Sequence, residues 1–274
     1  MKLNRDKYIY LALLVILVLL AGIIVNALNS KNKVLPIRDY AEIVASGELR
    51  IATDYNSIGY YVMGDTIMGF QYEMIRALEK EWNMKIVVFL ENRLDDNLTG
   101  LYNQDYDVVA RNIPVNSALK DSFAFTDAII INKQVLIQRK MGFNDGVPPI
   151  RQHLKLANKT IYVSKNSPAI LRLQHLSSEI GDTIFIVEDN LYEAEQLAMM
   201  VASGDIDFTV CDDKVAKRLA KNFPEIDCDT DVSFTQLQSW AVRKDSPVLL
   251  DSLNHWLSRF KKTAQYDEIY KKYY

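Results

Sequence analysis

Apolar and polar positions along this chain alternate in two rhythms, and together they spell out a succession of strands and helices. Ile37–Ser46 has apolar residues at roughly helical spacing before Gly47, which predicts a short helix. The string LRIATD that follows alternates with period two and ends on Asp54, so it reads as a strand. Phe70–Trp82 carries Phe70, Met74 and Leu78 on one face, with Ile75 and Ala77 beside them, and predicts a helix entered after Gly69. KIVVFL and YDVVARNI read as further strands. Asp127–Arg139 reads as one long extended run leaving the first half, and Gly142–Pro149 as a loop. A second round then begins: strand KTIYVSK, helix Pro168–Ile180, strand TIFIVE, helix Tyr192–Ala202 closed by Gly204, and a short apolar strand Ile206–Cys211. After a helix at Lys214–Ala220 and Pro224, the extended run Phe234–Arg243 returns towards the start of the fold. Amphipathic helices Val248–Lys262 and Tyr266–Tyr273 complete the chain. Strand–helix alternation of this kind predicts a mainly parallel sheet with helices on both faces.

Ahead of this pattern, Tyr8–Leu28 holds no charged residue and is long enough to cross a bilayer core of ~30 Å at ~1.5 Å per residue. It is read as an uncleaved transmembrane anchor, with a cleavable signal segment (Val25-Asn26-Ala27 as the small-residue site) as the alternative. Either reading exports the body. Basic flanks on both sides (Lys2, Arg5, Lys7 and Lys31, Lys33, Arg38) orient the segment only weakly.

Composition narrows the classes. Of 274 residues, 49% are apolar and 24% charged, which predicts a packed globular body rather than a disordered one. The formal charge is −3, and setting aside residues 1–28, which carry +2, leaves −5. A mildly acidic surface argues against nucleic acid as a partner. His153, His175 and His255 stand apart from one another and from the cysteines, and no zinc-type spacing occurs, so neither metal nor cofactor is expected. The only cysteines, Cys211 and Cys228, are read either as a disulfide permitted by export or as two small buried hydrophobes.

Ligands in open α/β sheets bind beyond the carboxyl ends of strands, which puts Asp54 and Asp212 at ligand positions. Asp213 is the better placed of the neighbouring acids to cap the following helix. Ser164-Lys165-Asn166-Ser167-Pro168 links a strand to a helix whose free amides can receive a carboxylate, with Ser167 as the cap and Pro168 in the first turn.

Six strings in order, GELRIATD, MGFQYEMIRAL, DVVARNIPVNSALKDSFAFTD, QVLIQRK, VASGDIDFTVCDD and FTQLQSWAVRKDSP, resemble family 3 periplasmic solute-binding proteins over roughly Gly47–Tyr274. Their wording is most similar to the binding-protein-like domain of the membrane-bound lytic murein transglycosylases F. The resemblance implies an α/β, two-lobed periplasmic-binding-protein type II fold (Venus flytrap), preceded by one N-terminal transmembrane helix. The implied organisation is a cytoplasmic N-terminus at 1–7, anchor at 8–28, tether at 29–36, lobe 1 at 37–134 plus 241–274, and lobe 2 at 135–240. It also implies a cleft that closes over a small polar ligand, amino acid-like or a cell-wall fragment, in the bacterial cell envelope. The body would lie on the periplasmic side of the inner membrane, or be secreted if the N-terminal segment is cut.

Carried over residue by residue, the ligand set is Asp54, Tyr55, Tyr61, Arg111, Asn112, Ser164, Asn166, Ser167 and Asp212. Tyrosines of the loop after Asp54 would cover the ligand, one of Tyr60 and Tyr61 packing beneath it, and Asp212 would grip an ammonium. One departure stands out. The family's carboxylate-binding arginine falls on Leu119, which cannot bind a carboxylate; Arg111 is the replacement, or else a salt-bridge partner, and Lys120 is a poorer one. The cleft is therefore either retuned or degenerate. An ABC permease would be the partner of a receptor, and a murein enzyme the partner of a non-catalytic regulator or scaffold. The transglycosylases continue into a lysozyme-like domain with a general-acid glutamate, whereas this sequence stops at EIYKKYY. The carboxylate pairs Asp95-Asp96 and Asp212-Asp213 do not by adjacency place two acids across a bond, and no nucleophile elbow or phosphate loop is present. A non-enzyme is expected.

Overall fold

The structure is a computed structural model that describes residues 15–22 and 37–274. The expected anchor Tyr8–Leu28 and the tether 29–36 thus lie largely outside the described residues; residues 15–22 are helical with exposed side chains. Among the described residues no helix is long and apolar enough to cross a membrane. The unit Arg38–Tyr274 carries the elements that follow.

The first lobe opens with α1 (Tyr40–Ser46) and β1 (Glu48–Thr53). Asp39 begins α1 through a capping box with Glu42, and its carboxylate also accepts from the amides of Val248 and Leu249 (3.1 and 2.7 Å) at the start of the helix Pro247–Phe260. One side chain thus caps two helices, satisfying amides that have no partner inside either. A hairpin of β2 (Tyr61–Met63) and β3 (Thr66–Met68) then precedes α2 (Phe70–Trp82). The entry to α2 needs glycine: Gly69 has φ 132°, and a side chain there would strike the carbonyl of Gly59. Next come β4 (Lys85–Leu90), α3 (Leu94–Tyr102), β5 (Val108–Pro114), α4 (Ser117–Ser122), β6 (Phe123–Phe125) and β7 (Ile130–Asn132).

The expected single run Asp127–Arg139 breaks at Lys133, and this is a correction with a clear cause. The Asn132 side chain accepts from the Lys133 amide (2.9 Å), ending β7, and β8 (Gln134–Arg139) joins a different sheet. The second lobe continues with β9 (Thr160–Ser164), α5 (Ala169–Ile180), β10 (Phe185–Asp189), α6 (Ala194–Ser203), β11 (Thr209–Asp212), α7 (Asp213–Asn222) and β12 (Ile226–Asp231). The chain crosses back into β13 (Gln236–Arg243), then forms α8 (Pro247–Phe260) and α9 (Ala264–Tyr273).

Two sheets result. The first has order β4-β1-β5-β13-β6, with β7 also on β13; β1 is parallel to β4 and β5, and β13 is antiparallel to its neighbours. The second has order β10-β9-β11-β8-β12, parallel at β9 and antiparallel at β8. Both faces of the second sheet are covered. Val135 and Ile137 of β8 face a core with Leu197, Val201 and Leu219, while Leu136 between them faces another with Ile161, Leu173 and Val210. That is the period of two expected of a strand buried on both sides. Cys211 and Cys228 sit unpaired in the first of these cores, as two small buried hydrophobes.

The first lobe's core centres on Trp240 and Trp256, both fully buried, with ring centroids 6.0 Å apart and Phe260 stacked 5.0 Å beyond. Asp107, fully buried, ties the start of the lobe to its end: Arg38 Nε, Arg50 Nη2 and Arg243 Nη2 lie 3.0, 2.9 and 3.4 Å from its Oδ1. The two crossings between sheets are joined where the Gln134 amide donates to Ser233 Oγ (2.9 Å) and the Ser233 amide to the Gln134 carbonyl (3.2 Å).

Candidate functional site

A cavity of about 160 Å³ lies where the carboxyl ends of β1 and β5 from one sheet face those of β9 and β11 from the other. This is the end of an α/β sheet at which ligands are expected, and here two sheets supply it at once.

On the first-lobe wall, Asp54 follows β1 and Arg111 lies in β5. Arg111 Nη2 is 3.2 Å from Asp54 Oδ2, and its Nη1 donates to Asn97 Oδ1 (2.8 Å) and to the Asn92 carbonyl (2.9 Å). Asn56 Nδ2 donates to the same Asp54 oxygen at 2.8 Å. Arg111 therefore forms a salt bridge within its own lobe. Asn112 is engaged as well: its Oδ1 accepts from Gln71 Nε2 (2.8 Å) and its Nδ2 donates to the Tyr274 hydroxyl (2.9 Å). Gln71 Oε1 in turn accepts from Trp240 Nε1 (2.8 Å), so a polar chain runs from the cavity wall into the core. Burial pushes the Tyr274 hydroxyl well above the ordinary tyrosine range.

On the second-lobe wall, Ser164 ends β9 and Asn166 takes a left-handed conformation (φ 56°), its amide donating to Glu188 at 2.9 Å. Ser167 Oγ accepts from the Ala169 amide (3.2 Å), while Pro168 occupies the cap position that a first-turn proline was expected to follow. Asp212 sits at the end of β11 and accepts from Gln238 Nε2 at 3.3 Å. Neither acid of the Asp212-Asp213 pair caps α7 by its side chain: Asp212 holds the cap position without such a bond, and Asp213, expected to be the cap, pairs with Lys217 one turn on (2.9 Å). Removal from water raises Asp212 to about 6, helped by the charge of Asp54 and opposed by Gln238 and Arg111.

Eight of the nine expected side chains line the cavity; Tyr61 does not. It stands on β2 with its ring under the Arg218 guanidinium (5.3 Å) and its hydroxyl accepting from Arg218 Nη2 (3.1 Å). That contact joins the first-lobe hairpin to α7 of the second lobe, outside the cavity. Tyr60 is buried beneath, edge-on to Tyr72. Leu119 is also away from the cavity, packed against the cluster of Leu98, Leu101 and Ile113.

Sequence reasoning missed Glu193, Glu195 and Gln134, all of which line the cavity. The two glutamates open α6, beyond the carboxyl end of β10, so the strand-end rule that found Asp54 could have found them. Nothing local marks Gln134. Glu195 receives the Ser57 amide (3.0 Å) and hydroxyl (2.6 Å) from across the cleft, and Asn166 donates across it to Asp95. Burial raises the affinity of both Glu193 and Glu195 for their protons, against the pull of Arg111 on the first and of the Ser57 bonds on the second. Among the described residues no group of three or more His, Cys, Asp or Glu side chains is placed to hold a metal ion.

Residues 49–274 match the model of the bacterial extracellular solute-binding proteins, family 3. The chain belongs to this family. It is homologous to the binding-protein-like part of membrane-bound lytic murein transglycosylase F: it is 25% identical over 228 residues to the protein of Desulfosudis oleivorans and 25% over 239 to that of Aeromonas salmonicida. These alignments take in 83% and 86% of this chain but 49% and 47% of those proteins, so the chain spans about half the length of the curated relatives it matches. Among solved structures, a mutant of the ArgBP of T. maritima superposes with a TM-score of 0.73 at 21% identity, covering 85% of this chain and 97% of that one. The solute receptor for L-cysteine of Neisseria gonorrhoeae gives 0.75 at 17%, covering 86% and 93%. Likeness at that identity establishes the two-lobed α/β fold that family 3 members share.

Proposed function

We propose that this chain is an extracytoplasmic solute-binding protein that captures a small polar ligand between its lobes, without chemistry of its own. One observation carries the reading: a single cavity is walled by strand ends of both sheets, and side chains reach across it, Glu195 to Ser57 and Asn166 to Asp95. A cleft of this construction holds a polar solute by excluding water when it closes, which strengthens each polar contact. Lobe 1 at 37–134 plus 241–274 and lobe 2 at 135–240 would be the moving bodies. The uncharged stretch Tyr8–Leu28 would anchor them to the inner membrane with the body in the periplasm, positioned to serve a permease.

The test is thermal unfolding of the full chain against amino acids, their decarboxylated amines, small peptides and muropeptides, with small-angle scattering on each hit. A solute at a hundred times its dissociation constant should stabilise the fold by ~2.7 kcal/mol and make it more compact. No stabilisation and no compaction across the panel would remove the reading.

A second reading, a regulator or scaffold for a murein enzyme, is favoured by the engagement of Arg111 with Asp54 and by the likeness to murein transglycosylase F. It requires that a murein enzyme co-purify with the tagged chain from membranes.

A further inference from the structure

The cavity is unbalanced in charge. Asp54, Glu193, Glu195 and Asp212 line it, against Arg111 and Lys165. Arg111 is consumed by Asp54, Asn97 and Asn92, and Lys165 is exposed to solvent. Two other guanidiniums near these acids do not line the cavity: Arg93 pairs with Asp96 (3.3 Å), and Arg218 with the Tyr61 hydroxyl. Among the described residues, three acids are left facing one exposed ammonium.

An independent observation points the same way. Gln134, only 6% exposed, lines the cavity directly opposite Asp212 in the β8–β11 register, and its Oε1 has no hydrogen-bond partner among the described residues. A buried carbonyl oxygen beside a carboxylate is complemented by a donor, not by another acceptor. The arginine expected to take an α-carboxylate is absent, since Leu119 stands in its place, half-buried and away from the cavity, and the guanidinium of Arg111 is already filled.

We infer that the cleft selects a small organic cation lacking a free carboxylate, its ammonium or guanidinium seated among Asp212, Gln134 and the glutamates of α6. This rests on the solute-binding reading and adds the ligand class. An α-amino acid would bring its carboxylate into this acidic site, where only the solvent-exposed Lys165 ammonium and the amides that open α5 face it. Its decarboxylated counterpart presents the same donors without that charge.

The experiment is isothermal titration of the full chain at pH 7.5 with matched pairs, agmatine against arginine and cadaverine against lysine, with 5-aminovalerate and glutarate as neutral and anionic members. The decarboxylated member of a pair should bind at least about tenfold more tightly than its amino acid, since an unmet carboxylate costs more than ~1.4 kcal/mol. Gln134→Met and Glu193→Gln, with unchanged circular dichroism, should each weaken that binding by about fivefold. Tighter binding of arginine or lysine would overturn the inference and leave the solute receptor standing. Binding by no cationic probe would also overturn it, and the receptor reading would fall only if the neutral, anionic and muropeptide ligands failed too.

Discussion

Arg111 Nη2 lies 3.2 Å from Asp54 Oδ2, so the residue best able to bind an incoming carboxylate is already bound to an acid of its own lobe. Each side chain is less than one-fifth exposed, and Arg111 also holds Asn97 and the Asn92 carbonyl. Arg111→Met should lower unfolding stability by about 1–3 kcal/mol, because it leaves a half-desolvated carboxylate with only Asn56. Arg111→Lys should recover part of this, since an ammonium restores the charge but not the fork. Urea denaturation at pH 7 reads both; a loss below about 0.5 kcal/mol for Arg111→Met would mean the pair is merely decorative.

Asp212 gives the fold a pH dependence of defined sign. Its carboxyl titrates at about 6 in the folded state against 3.8 ordinarily, so folding favours the protonated acid. Its contribution is fully present below pH 4, falls as pH rises towards 6, and is lost above that. The span is at most ~3 kcal/mol. Asp54, Arg111, Asp213 and Tyr274 are the titratable groups acting on it. Asp212→Asn should therefore raise Tm at pH 7.5 by about 2–4 °C for each kcal/mol recovered, and leave it nearly unchanged at about pH 3.5. Parallel Tm profiles for the two proteins would reject this account.

Glu195 holds Ser57 through two donors across the cleft. Hydrogen bonds to a charged group contribute about 1.5–3 kcal/mol, so Glu195→Ala should shift a closed–open equilibrium towards open by about ten- to a hundredfold. Arg218→Ala, which releases Tyr61, should act in the same direction. Scattering in the absence of ligand should show a larger radius of gyration for both. An unchanged radius would place the hinge's resistance elsewhere.

Asp107 is buried among three guanidiniums and also accepts from the Arg50 amide at 3.0 Å. Removing it strands several buried donors and positive charge at once. Asp107→Ala should cost about 3–5 kcal/mol, read by chemical denaturation, and Asp107→Asn nearly as much. Ligand affinity should be unaffected while the protein stays folded, because none of these groups lines the cleft.

The longer elements were legible in the sequence, because burial of one or both faces leaves a period of two or 3.6 that any reader can count, whereas the hairpin β2–β3, the helices α3 and α4, the strand β12 and the break at Lys133 were not. LRIATD became β1, the Phe70–Trp82 pattern became α2 at the same bounds, and Gly204 closed α6 in a left-handed conformation (φ 89°). Strand-end acids and the Ser164–Ser167 turn likewise reached the cavity, since the strand-end rule is a property of topology. What the sequence could not specify is which side chains meet. That Arg111 answers Asp54, that Glu195 crosses 138 positions to Ser57, and that Gln134 stands unpaired opposite Asp212 depend on strand register and on how two lobes close. Tyr61 was misplaced for the same reason: adjacent tyrosines face opposite ways, and the packing of α7 against Tyr61 and of α2 against Tyr60 decided where each went. Local pattern records how often a residue is buried; the partner it is buried against is a long-range fact that only the tertiary structure supplies.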